Sequence, residues 1–155
     1  MRRITARASR QLPQPPERVF GYVLPVDLST VIKRWGPLPG VKGTRDQTGE
    51  WDHVGATRTV LLEDGSSSRE ELTAYNPPHH FGYTLKLGPP TSVLAAEAAG
   101  TWWFRPTDDG GTEIEWAWAL APQPGLGPVI AGVLAPMWER YADQALAAIG
   151  AELAR

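Results

Sequence analysis

Residues 55–75 read GATRTVLLEDGSSSREELTAY, and this stretch decides the architecture. Asp64-Gly65 is a strong short-range hairpin signal, and the segments on either side, Thr57–Leu62 and Ser67–Tyr75, alternate with the two-residue period of strands. Val60, Leu62, Leu72 and Ala74 then share one face. Arg58 and Glu70 fall on that face too. A three-residue loop sets Arg58 opposite Glu70, whereas a two-residue loop sets it opposite Glu71. An exposed cross-strand ion pair contributes about 0.2–1 kcal/mol, but burying charges costs several kcal/mol unless they are paired and hydrogen-bonded. Either the face lines a cavity that water or a ligand fills, or the hairpin twists and the pair lies at a wet edge. The alternation favours the cavity.

The pattern continues outward. Asn76-Pro77-Pro78 ends the second strand, and Phe81, Tyr83, Leu85 and Leu87 alternate in the next. Val93–Arg105 and Thr112–Leu120 form a long pair around Asp108-Asp109-Gly110-Gly111. In the last strand Ile114, Trp116, Trp118 and Leu120 alternate with Glu113, Glu115 and Ala117, which indicates an antiparallel sheet with one buried face. Upstream, Ile4–Leu12 reads as a first strand, and Pro15-Pro16 opens a short helix whose buried face is Val19, Phe20 and Val23. Asp27 or Ser29 caps a second short helix through Val31, Ile32 and Trp35. A short strand is expected around Val41–Arg45.

Downstream, Leu126 to Leu153 is helical. At about 100° per residue Leu134, Trp138, Tyr141, Ala145 and Ile149 form one stripe, with Glu139, Arg140 and Asp143 opposite. Pro136 predicts a kink or a break. The uncharged stretch between Glu115 and Glu139 is long enough to span a bilayer, but Pro122, Gln123, Pro124 and Gly125 interrupt it, so no stable membrane insertion is expected. The whole is a single α+β domain over residues 1–155: a curved antiparallel sheet gripping a long C-terminal helix, with two short helices after the first strand.

The totals exclude several functions. Net charge is −2, and the 15 Lys and Arg are scattered apart from Arg2, Arg3, Arg7 and Arg10 at the N-terminus, so no nucleic acid partner is expected. Zero cysteines exclude disulfides, thiol catalysis and thiolate metal sites. With no apolar segment behind MRR, the default location is cytoplasmic. His79-His80 read as a surface loop, and His53 as the rim of a cavity mouth, so no metal is expected. Ser66-Ser67-Ser68 lacks the strand-to-helix elbow of a nucleophile, and neither a dinucleotide nor a phosphate loop occurs, so no cofactor is expected.

The ordered set PPERVFGYV (15–23) with Trp35, VGATRTVLLEDG (54–65), REELTAYNPPHHFGY (69–83), GTWWFRP (100–106) with DDGGTEIEW (108–116), and the terminal amphipathic helix resembles the START-like, or helix-grip, fold of the SRPBCC superfamily. The resemblance is to its polyketide cyclase/dehydrase and lipid-transport-like members, and it covers nearly the whole chain. It implies a deep apolar cavity between sheet and long helix. The expected lining is Arg58, Val60, Glu70, Leu72, Tyr83, Trp102, Phe104, Trp116, Trp118, Leu134, Trp138 and Tyr141. Trp102 and Phe104 are expected to face Trp116 and Trp118 across the last strand pair. These rings either fill a core or line a site for an apolar ligand that a few polar groups orient. Three functions follow as expectations: carriage of a small hydrophobic, lipid-like or polyketide-like ligand; a cyclase, aromatase or dehydratase in which Glu70 or a tyrosine moves protons and Arg58 stabilises an enolate; or a regulatory interaction partner.

Overall fold

A computed structural model describes residues 3–155; Arg2, one of the N-terminal basic group, lies outside them. Seven antiparallel strands form one sheet: β1 (Ile4–Leu12), β2 (Val41–Arg45), β3 (Thr57–Leu62), β4 (Ser67–Asn76), β5 (His80–Leu87), β6 (Ala95–Pro106) and β7 (Thr112–Pro122). Their order is β1-β7-β6-β5-β4-β3-β2, so the first strand closes against the last. Consecutive strands from β2 to β7 are neighbours, which is the meander that the short turns dictate.

The turns explain themselves. In the β3–β4 hairpin Leu62 N–H donates to the Ser66 carbonyl, leaving the three-residue loop Glu63-Asp64-Gly65. Gly65 takes φ +88°, a region that glycine enters freely, and the Asp64 carboxylate accepts from the Ser66 N–H and hydroxyl. The β6–β7 turn repeats the device, with Gly110 at φ +85° and Asp109 accepting from Thr107 and Gly111.

Helix α1 (Pro16–Val23) buries Val19, Phe20 and Val23, as its spacing requires. The second helix is shorter than expected. A 3₁₀ turn, Leu28–Thr30, is capped by the Asp27 carboxylate accepting from Ser29 N–H, and it stops there. Val31 and Ile32 go into the core, and Trp35 bridges to Leu38 around Gly36 at φ +53°. β-branched residues followed by a Gly-Pro turn cannot extend the helix to Trp35. β6 likewise starts at Ala95 rather than Val93, because Thr91–Val93 is a second 3₁₀ turn.

The C-terminal helix opens as α2 (Gly127–Val129), passes through a π-helical turn (Ile130–Leu134) and continues as α3 (Ala135–Leu153). Pro136 does not break it. The Ala135 N–H reaches back to the Ile130 carbonyl, so the ladder widens by one residue just before the proline that lacks an N–H. α3 buries Trp138, Tyr141, Ala142, Ala145, Leu146 and Ile149 and packs on β1 and α1. No described helix is long and apolar enough to cross a membrane.

Candidate functional site

The three-residue loop sets the register that puts Arg58 opposite Glu70. Both side chains are buried, and Arg58 Nε donates to Glu70 Oε1 at 3.0 Å. The guanidinium also lies over the ring of Trp51, 4.0 Å from its centroid. Desolvation of a charge this deep is offset only by such close partners. Burial pushes the Glu70 carboxyl above the ordinary carboxylate value, against the pull of Arg58 and its hydrogen bond. Trp51 escapes sequence reading because it sits in the irregular segment before β3, where no period marks its direction.

Across the sheet Tyr83 projects from β5 beside Gly100 of β6. A Cβ on residue 100 would clash with Cζ of the Tyr83 ring, so this placement requires glycine. The Tyr83 hydroxyl accepts the indole N–H of Trp116 at 2.9 Å and that of Trp118 at 3.1 Å. Residues 116 and 118 are two apart on one strand and share its inner face, which is why both reach the same oxygen. Burial, and next the Glu70 charge, push the Tyr83 phenol well above its usual range.

Trp102 stacks on Trp116, its register partner, with centroids 4.6 Å apart. From α3, Trp138 packs against Trp116 at 4.9 Å and Trp118 at 5.1 Å. The Tyr141 hydroxyl donates to the Pro39 carbonyl at 2.6 Å, tying α3 to the Trp35–Gly40 segment. The indole nitrogens of Trp51 and Trp138 are buried without an acceptor.

Between these groups lies a cavity of about 110 Å³. Ten of the expected side chains line it: Arg58, Val60, Glu70, Tyr83, Trp102, Trp116, Trp118, Leu134, Trp138 and Tyr141. Leu72 and Phe104 do not. Leu72 is fully buried in the core one step beyond Glu70, where its backbone is pinned by Gly55 and Ala56. Phe104 is paired with Ile114, not Trp118, and packs on Phe20 at 5.1 Å; two residues along β6 carry it past the end of the cavity. Trp118 is paired with Gly100 instead. Sequence reading also missed Leu38 and Pro39, which close the lining beneath Tyr141. The histidines stand elsewhere: His53 is exposed beside Asp52 and does not line the cavity, His79 is exposed as expected, but His80 opens β5 instead of lying in the loop and packs tilted against Trp103.

A family model described as polyketide cyclase / dehydrase and lipid transport matches residues 3–154. Among solved structures, the crystal structure of Ara h 8.0201 superposes with a TM-score of 0.73 at 17% identity, covering 99% of each chain. A protein of Nitrosospira multiformis gives 0.69 at 21% identity, over 96% of this chain and 95% of that one. An uncharacterised protein of Bacillus thuringiensis gives 0.66 at 14% identity, over 94% and 98%. No curated protein sequence matches the chain. These likenesses concern the fold.

Proposed function

The chain belongs to the polyketide cyclase/dehydrase and lipid-transport family, and from that premise we propose that it binds a small hydrophobic ligand between its sheet and its C-terminal helix. The observation that carries this reading is the cavity itself: four indoles and two phenols surround unfilled space, with one compensated ion pair at its side. Close-packed cores leave few voids larger than a water molecule. A cavity of about 150 Å³ in an apolar protein interior holds one benzene molecule. At about 110 Å³ the space is smaller still, so it suits a single compact ring, seated with some outward movement of its lining, and not a long acyl chain.

Calorimetric titration with toluene tests the reading. Saturable binding is expected in the native protein, and Leu134→Phe, which pushes a ring into the cavity, should abolish it while costing roughly 1–3 kcal/mol of stability. No binding by the native protein would leave a solid core as the account.

One observation favours an enzyme of the cyclase, aromatase or dehydratase type as a second reading. Glu70 is a buried carboxyl with a raised pKa beside a cation, the setting in which a carboxylate serves as a general base. Turnover lost in Glu70→Gln with ligand binding retained would favour it over simple carriage.

A further inference from the structure

Trp116 and Trp118 fix more than the shape of the cavity. An indole N–H only donates, so the Tyr83 oxygen must accept from both, at 2.9 and 3.1 Å. A phenol oxygen has two acceptor positions and one hydrogen. Both acceptor positions are thereby occupied, and among the described residues nothing accepts the hydrogen that Tyr83 itself carries. The ring is held in place by the close approach to Gly100, and the hydroxyl is buried in the cavity lining. The cavity lining therefore holds a hydroxyl donor whose acceptor is missing, beside the Trp138 indole N–H, which also lacks one. Buried donors are ordinarily paired.

We propose that Tyr83 selects the ligand: the cavity takes a compact, neutral ring bearing a carbonyl oxygen, which accepts the Tyr83 hydrogen while the ring packs on the indoles. The proposal rests on the ligand-binding reading above and specifies its chemistry. Neutrality follows from the ion pair. Arg58 is already matched by Glu70 and by the Trp51 ring, so a carboxylate ligand would bring an unmatched second anion next to Glu70. A hydrocarbon would leave the Tyr83 hydrogen unmet. A hydroxyl-only ligand could accept it as well, but a carbonyl does so without burying a donor of its own.

The test compares acetophenone with α-methylstyrene, in which a methylene replaces the carbonyl oxygen at the same shape. In calorimetric titrations Tyr83→Phe is expected to weaken acetophenone by about 10-fold, the loss of one buried hydrogen bond, and to change α-methylstyrene by less than about 2-fold. Because Tyr83→Phe also unpairs two indoles and could unfold the protein, the native protein supplies a second readout. The carbonyl stretch of bound acetophenone, labelled with carbon-13, should lie to lower frequency than in hexane, and should stay there in Trp138→Phe, which removes the other unpaired N–H of the lining. Equal effects on both ligands, or an unshifted carbonyl band, would overturn the proposal while leaving the cavity reading intact. Binding of neither ligand to the native protein would overturn the cavity reading itself, and this proposal with it.

Discussion

Arg58 shows what a buried charge needs. Its guanidinium meets a carboxylate at 3.0 Å and an aromatic face at 4.0 Å, and the carboxylate is itself buried deeply enough to hold its proton more tightly than usual. That combination has a pH signature. Because the folded pKa of Glu70 lies above its ordinary 4.5, the native state binds more protons than the unfolded state just above that pH. Stability contributed by the protonated carboxyl is therefore present below about pH 4.5 and is lost as pH rises through the folded pKa. Arg58 limits that loss. Arg58→Met should destabilise more at pH 8 than at pH 5, by up to about 3–5 kcal/mol, because the carboxyl it leaves without a partner costs more the less of it is protonated. Urea unfolding at the two pH values checks this, and an equal loss at both would mean that the pair is not coupled. A cross-strand ion pair from Arg58 was legible in the sequence because alternation and an Asp-Gly turn are local signals, but its partner was open between Glu70 and Glu71 until the three-residue loop chose Glu70. Trp51 and the two-indole clasp on Tyr83 were not. The first lies in a loop without period, and the second depends on a register between strands separated by a long stretch of chain.

At the scale of elements, the β3–β4 loop carries the site's geometry. One residue fewer would move Arg58 from Glu70 to Glu71 and turn the pair to the other face. Gly65 holds the loop at φ +88°, so Gly65→Ala should cost roughly 1 kcal/mol or more, read as a lower urea midpoint with an unchanged slope. A midpoint at or above that of the parent would show that the loop tolerates a side chain and that the register rests on other contacts. The strands were readable because their periods and turn residues are written over a few positions. The second short helix was not, since burial of Val31 and Ile32 outweighs the helical signal of its Asp27 cap. Pro136 marked a discontinuity correctly, but a missing N–H does not say how neighbouring turns respond. Here the bond from Ala135 to Ile130 absorbs it in a π turn, and the helix stays continuous.

At the scale of the molecule, β1 pairs with β7 across nearly the whole sequence, and this closure lets the sheet curve around α3. The antiparallel sheet, the gripped helix and the family were all visible in the order of elements. Whether the aromatics would fill the centre or surround a space was not, because packing density depends on summed volumes and rotamers in three dimensions. Large rings from β6, β7 and α3 brace one another, Trp102 stacked on Trp116 and Trp138 set edge-on to Trp116 and tilted against Trp118, and that mutual support keeps them from collapsing into the space they enclose. If this space is a ligand site, a crystal of the protein soaked in bromobenzene should show, in an anomalous difference map, a bromine peak inside the cavity, within van der Waals distance of Trp116, Trp118 and Trp138. Bromine found only on the surface, with these indoles unmoved, would contradict that reading.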